Sequence, residues 1–330
     1  MKKLSNELKT YLKNNPLVIL TPVDRYLGFS APISPVLQFN EIATKYDIPI
    51  LFVDPQRTII EAQPNNKPKI MTADGAINGS VMFGYGHELL DRNMVKYIIL
   101  AAELCGAKTV NNFRCLEDND DKALIALNLA NSNIKCSNSW ISSARSPFKI
   151  VLDKIPMKIS GDNLIGKTSG FTAGGVGIQP LPFDVDYIGP FLWSSRLNGL
   201  PKIIQNNIAP KNGTGTTKVI RTYIAGGKVV GAYFTSGEGV VNCAGLTRNP
   251  VSGLQTLSKS QKQHLIYTAK ICGALGFCRI DSTDEKIPAI FEINPLARID
   301  SDIHGFNVAE AILEHMVSLA VEKMAEDKNE

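Results

Sequence analysis

The sequence predicts an α/β protein that begins as a parallel sheet and ends in antiparallel strands. Three observations carry this reading. The apolar runs Leu17–Leu20 and Ile48–Val53 alternate with helical patterns at Pro35–Tyr46 and Asp91–Cys105, the strand–helix alternation that builds parallel sheets. TKVIRTYIAGGKVVGAYF contains two alternating β runs around Ala225-Gly226-Gly227-Lys228, a hairpin signal. Phe277–Asp281 and Ala289–Asn294 read as two more strands joined by the polar connection Ser282–Pro288, because β-branched and aromatic residues flank a cluster of turn formers.

Taken in order, the opening MKKLSNELKTYLKNNP reads as a short polar helix with no apolar signal core behind it. After the first strand, TPVDRYLGFSAP places Asp24 and Arg25 in a loop at the carboxyl end of a strand, where open α/β sheets bind ligands; a surface ion pair is the plainer reading. Gly75–Asn93 surrounds Tyr85 and His87 with glycines ahead of a helix, a candidate anion-holding junction or simply a tight turn. A strand follows at Thr109–Asn112, and then a polar loop in which Asn119 or Asp120 caps a helix over Asp121–Ala130. Phe148–Lys154 and Pro156–Ser160 are candidate strands ending in or carrying lysine, and Gly161 to Gly177 is glycine-rich. Such glycines let backbone amides approach a phosphate and let a lid move, or mark an ordinary surface loop. Leu200–Gly215 is an apolar strand breaking at a polar turn, Ser258–Leu275 an amphipathic helix whose Gly273 and Gly276 allow close approach to a sheet, and Asn307–Ala325 a last helix before the charged tail EDKNE, expected to fray.

With 330 residues, 44% of them hydrophobic and 20% charged, the chain is an ordinary globular protein of two or three domains. The expected division is an N-terminal α/β domain over 1–115, a central subdomain with a glycine-rich lid over 116–210 and a C-terminal subdomain with a metal site over 211–330. No apolar run approaches the roughly 20 residues of a membrane span, so a cytoplasmic location is expected. The six cysteines are scattered without CxxC pairs and read as buried thiols rather than disulfides or zinc ligands. A net charge of +4 without a basic, aromatic-interleaved run disfavours nucleic acid.

Strand alternation puts Ile290, Glu292 and Asn294 on one face and Ala289, Phe291 and Ile293 on the other. If the two strands pair, Asp281 arrives about 5 Å from Glu292 and Asn294. Two carboxylates and an amide oxygen, with no His or Cys, suit a hard cation such as magnesium; a hairpin with a solvated polar face has equal standing on spacing alone.

This stretch resembles the end of the nucleotide-binding domain of ATP-grasp proteins, where a strand closing in Asp precedes one reading Glu-x-Asn. The resemblance, nearest to the ribosomal S6 modification and glutathione synthetase branches, covers about residues 108–300 and rests on the order of its parts. It implies an ATP-grasp fold behind an N-terminal parallel-sheet domain, and it makes Asp281, Glu292 and Asn294 holders of magnesium, with manganese as an alternative. Asp121-Lys122 resembles the junction leading into the domain, so Lys122 is implied near the nucleotide. Lys154 or Lys158, the latter preferred, would contact phosphate, and Gly174 and Gly175 would belong to the phosphate lid, although the interval from Lys158 to Gly174 is long and the Pro usual after Lys is absent. Gln205, Asn206, Asn207 and Ile208 resemble the hinge that reads the adenine edge, with Asn206 in place of the usual acid. Arg221, with Arg248 and Asn249 of GLTRNPVSG, would face the reacting centre, and Arg298, three residues after Pro295, either binds substrate carboxylate or pairs with Asp300.

The implied activity is an ATP-dependent, ADP-forming carboxylate–amine ligase acting on a small molecule through an acyl phosphate. Its partners are then a carboxylic acid and an amine, with no nucleic acid and no membrane; a homodimer is allowed and the oligomeric state is open. The rivals are an ATP-grasp kinase and a non-catalytic nucleotide-binding protein, the last of which is expected to have lost one of the three oxygen ligands.

Overall fold

The computed structural model describes residues 4–21, 35–85, 89–143, 164–169, 178–182, 184–195, 199–206, 216–239, 247–297, 299 and 305–329. Helix α1 (Asn6–Asn14) is capped by Ser5 and leads into β1 (Leu17–Leu20), all four of whose residues are buried. Helix α2 (Pro35–Tyr46), β2 (Ile50–Val53), β6 (Val81–Gly84), α3 (Leu89–Leu104) and β7 (Lys108–Thr109) complete a parallel sheet ordered β2-β1-β6-β7. Between β2 and β6 the chain makes a small antiparallel sheet, β3 (Ile59–Glu61), β4 (Lys69–Thr72) and β5 (Gly75–Ala76).

The strand expected over Thr109–Asn112 stops at Thr109. Asn112 instead caps α4 (Phe113–Asp120), its Oδ1 accepting from Cys115 N at 2.7 Å, so the expected polar loop is a helix. Asn119 and Asp120 therefore lie inside α4, and Asp121 is the residue that caps α5 (Lys122–Asn131).

The central part is an antiparallel sheet ordered β10-β9-β11-β8, built from β8 (Ser139–Ser142), β9 (Leu164–Thr168), β10 (Ile178–Pro180) and β11 (Lys202–Asn206). Helix α6 (Val185–Trp193) covers one face, where Gly166 lets the Phe191 ring lie against β9: a Cβ there would stand 2.8 Å from the ring. Leu164–Thr168, expected within the glycine-rich lid, is thus a strand. The candidate strands Phe148–Lys154 and Pro156–Ser160 lie outside the described residues, as do Asp24, Arg25, His87, Gly174 and Gly175.

A five-stranded antiparallel sheet, β14-β13-β12-β15-β16, closes the chain: β12 (Thr216–Ala225), β13 (Lys228–Gly239), β14 (Thr247–Leu254), β15 (Phe277–Ser282) and β16 (Ile290–Asn294). The hairpin turns at Gly226-Gly227, both with positive φ, as its glycines require. Helix α7 (Lys259–Ile271) carries a capping box between Ser258 and Gln261 and stops where Gly273 turns left-handed at φ 66°, shorter than the expected Ser258–Leu275. Helix α8 (Val308–Asp327) runs two residues past its expected end, because Tyr11 donates to Asp327 at 2.6 Å and Lys108 to Glu326 at 2.5 Å.

Two cores tie these layers together. One joins α1, α2, β1, β6 and α8 to the five-stranded sheet through aromatic contacts, with Phe83 edge-on to Phe277 at 5.5 Å and Phe277 stacked on Tyr223. The other lies between α5, α7 and the opposite face of that sheet. Gly276 makes the first approach possible, since a Cβ there would fall 1.6 Å from the Val110 carbonyl oxygen. Next to it, buried Asn111 bonds both the N–H and the C=O of Phe277 and the carbonyl of Pro295. The parallel sheet thereby grips both strands expected to carry the metal ligands. No helix among the described residues is long and apolar enough to cross a membrane.

Candidate functional site

Strands β15 and β16 pair antiparallel, with Asp281 opposite Glu292 and Arg279 opposite Asn294. One expectation is corrected here. The register shifts beyond Asp281, so that Ser282 faces Ile290 and the step from 290 to 292 spans one step of β15. This bulge turns Ile290 into the apolar core with Ile293, while Glu292 and Asn294 remain on the face of Asp281.

The same face extends across the sheet. Tyr233 on β13, Arg221 on β12, Asp281 on β15 and Glu292 on β16 form one cross-strand row, and Tyr223, Arg279 and Asn294 form the next. Asp281 is nearly inaccessible, at 3% side-chain exposure, and lies between two guanidinium groups: Arg279 Nε donates to Oδ1 at 3.0 Å, and Arg221 Nε stands 3.5 Å from Oδ2. Burial works against charge on both arginines, and the Asp281 carboxylate overcomes it, holding Arg279 well above and Arg221 above the ordinary guanidinium range. The sequence-based reading missed Arg279; its place two residues before Asp281 in the same strand was the available signal.

A second buried network meets the row at Asn294. Arg92, on α3, donates to Asp120 Oδ1 from Nε at 3.1 Å and from Nη2 at 2.7 Å, to Asn294 Oδ1 at 3.3 Å and to the Leu296 carbonyl at 3.4 Å. Lys96, one turn further on, holds the other Asp120 oxygen at 3.2 Å.

Opposite β16, across a cleft, stand Lys122, Lys167, Ser139 and Gln205, with Ile125 and Leu129 of α5 forming its apolar side. Alternation along β9 and β11 decides which lysine enters. Lys167 pairs with Ile203 and lines the cleft, whereas Lys202 pairs with Thr168, donates to its hydroxyl at 3.0 Å and lies over the Phe191 ring under α6. In the sequence the segment that carries Lys167 reads as loop, and Lys154 and Lys158, the lysines expected at the phosphates, lie outside the described residues. Gln205 bonds Ser139 at 2.7 Å, and Asn206 ends β11 with its N–H on the Asn138 carbonyl. Asn207, Ile208 and Arg298 are outside the described residues; Arg248 and Asn249 lie on edge strand β14, Arg248 in register with Glu238. The cleft holds about 10 Å³, roughly one water.

The oxygen donors Asp281, Glu292 and Asn294 share a face and suit a hard cation. Carboxylates have acceptor capacity beyond their arginine contacts, so Asp281 can bind guanidinium and cation together; the constraint falls on Asn294.

No protein-family model matches this sequence, and comparison with curated proteins gives no match. Solved structures do match. The ATP-grasp ligase PsnB in complex with a minimal precursor superposes with a TM-score of 0.65 at 13% identity, over 92% of this chain and 99% of that one. D-cycloserine synthetase DcsG gives 0.65 at 11% identity, over 93% and 100%, and the D-alanine–D-alanine ligase of Bacillus anthracis with ATP gives 0.60 at 14%, over 95% and 99%. At these identities the likeness is one of fold, and the fold of this chain is the ATP-grasp fold.

Proposed function

We propose that this protein is an ATP-dependent carboxylate–amine ligase that forms an amide or peptide-like bond and releases ADP and phosphate. The observation that supports this best is the row Arg221–Asp281–Glu292, with Arg279 and Asn294 beside it, whose last member Glu292 lines a cleft that Lys122 and Lys167 also line. Acid oxygens for a cation and fixed cations for phosphate oxygens meet there. PsnB has been crystallised with precursor, Mg and ADP, and the D-alanine–D-alanine ligase with ATP, which makes a magnesium-bound nucleotide the reasonable occupant.

In this reading the adenine lies against Gln205 and Asn206 between the two sheets, and Lys122 and Lys167 meet the phosphates. Asp281, Glu292 and Asn294 would hold magnesium, which supplies charge neutralisation at the phosphate oxygens. A substrate carboxylate oxygen attacks the γ-phosphorus, the bond to ADP breaks, and an acyl phosphate forms. Arg221 and Arg279 stabilise charge on the transferring group from fixed positions. An amine then attacks the acyl carbon, loses a proton and expels inorganic phosphate. Arg248, Asn249 and Arg298 are the proposed contacts on the acceptor side, Gly174 and Gly175 the lid, and Asn207 and Ile208 the rest of the hinge.

The test is incubation with ATP, magnesium, hydroxylamine and pools of amino acids, other carboxylic acids and short acidic peptides, measuring ADP and hydroxamate together. Hydroxamate formed in step with ADP supports the ligase. ADP with a phosphorylated alcohol and no hydroxamate replaces it with a kinase.

A further inference from the structure

We propose that Arg92 competes with the metal ion for the side-chain oxygen of Asn294, so that loading the metal breaks a tie between α3 of the parallel sheet and the end of β16. The inference rests on the metal site of the proposed function. An asparagine side-chain oxygen has two lone pairs, and in Asn294 both are taken: Leu296 N–H donates to it at 3.1 Å and Arg92 Nη2 at 3.3 Å. A cation bound through this oxygen displaces one of them. The Leu296 bond closes a local turn two residues on and is the shorter; the Arg92 bond spans 202 positions of sequence and is the longer.

Release costs Arg92 little. It keeps two bonds to Asp120 and one to the Leu296 carbonyl, so the guanidinium, 3% exposed, stays compensated as it withdraws. Repulsion between the incoming cation and a buried positive charge acts in the same direction. Because binding couplings are reciprocal, a parallel sheet that seats Arg92 firmly on Asn294 weakens the metal, and a bound metal loosens that sheet's hold on β16. Asp120 and Lys96 set the position of Arg92, and Asp120 also ends the helix next to Lys122, so the same strut reaches both walls of the cleft.

The experiment measures Mn²⁺ affinity by electron paramagnetic resonance at saturating ADP for the wild type, Arg92→Met and Arg92→Lys, with thermal unfolding as the check on folding. Arg92→Met is expected to bind Mn²⁺ on the order of tenfold more tightly, as for one positive charge removed beside a divalent ion in a partly screened site. Arg92→Lys, whose single ammonium group cannot serve Asp120 and Asn294 together, is expected to bind more tightly by a smaller factor, and it decides the matter if the Met variant does not fold. Unchanged or weaker binding in the folded variants overturns the competition. A wild type that binds no Mn²⁺ with ADP defeats the metal-site reading itself. In the wild type, the Arg92 side-chain N–H resonances should shift and exchange faster when Mg²⁺ is added to the ADP complex; resonances that do not move also overturn it.

Discussion

Asp281 and Glu292 face each other directly across the β15–β16 ladder, yet their surroundings differ: Asp281 is enclosed by Arg221 and Arg279, while Glu292 lines the cleft. The two carboxylates should therefore respond differently to loss of charge. Asp281→Asn leaves two partly or fully buried guanidinium groups without their shared anion and should destabilise the fold by about 3–5 kcal/mol as well as abolish turnover. Glu292→Gln should lower turnover by about a hundredfold or more with little change in stability. Denaturant melts paired with ADP release separate the two, and equal melting curves for both variants would contradict the assignment.

Lys167 and Lys202 form a second contrast, since they lie on paired strands and face opposite ways. Lys167→Met should weaken nucleotide binding by roughly tenfold, the loss of one close charge pair with phosphate. Lys202→Met should leave affinity nearly intact and alter thermal stability instead, because its ammonium group is buried under α6 with Thr168 and Phe191. Calorimetric titration with a non-hydrolysable ATP analogue reads both, and the reverse ranking would exclude Lys167 from the phosphate wall.

Gly276→Ala should be among the most damaging single-methyl changes in the chain. Its new Cβ would fall 1.6 Å from the Val110 carbonyl oxygen, a backbone atom that moves only if the parallel sheet leaves β15. A loss of about 3 kcal/mol or more, or failure to fold, is expected. Gly199→Ala, where no atom lies within 4 Å but φ is positive, should cost about 1 kcal/mol.

Burial pushes the Cys115 and Cys272 thiols up to about 12. In the unfolded chain they ionise near 8.5, so above that pH the folded state holds protons that the unfolded state has lost. Stability is then fully present below pH 8.5 and falls as pH rises towards 12, by about 1.4 kcal/mol per pH unit for each thiol. Replacing Cys115 with Ala should flatten the fall between pH 9 and 10, measured by urea melts at each pH. In the native protein at pH 7, a thiol reagent should modify exposed Cys105 rapidly and leave buried Cys115, Cys272 and Cys278 unmodified until unfolding; a Cys243→Ser background removes the residue that lies outside the described set.

Much of the site was legible because it depends on short-range pattern. The alternation of β16 and the end of β15 were enough to set Asp281 beside Glu292 and Asn294, and Gly226-Gly227 was enough to mark the hairpin, since two-residue periodicity and turn chemistry are local. The bulge at Ile290 was not legible: it comes from packing Ile290 into the core with Ile293, a demand of α5 and α7 that the strand does not carry in its own residues. Lys167 was missed for a related reason. Its segment is glycine-rich and reads as loop, and only pairing with β11 makes it a strand and turns its side chain to the cleft.

The sequence by itself determined the α/β class, the strands and helices at both ends of the chain and the placing of three oxygen donors, Asp281, Glu292 and Asn294, on neighbouring strands, because propensity, periodicity and turn residues are properties of a few neighbouring positions. Tertiary structure alone decided which guanidinium groups surround those oxygen donors. Arg92, Asp120 and Asn294 are separated by up to 202 positions and meet only because the parallel sheet packs against β15 and β16 at Gly276 and Asn111. Charges so far apart in sequence leave no local pattern, and burial then makes their pairing obligatory.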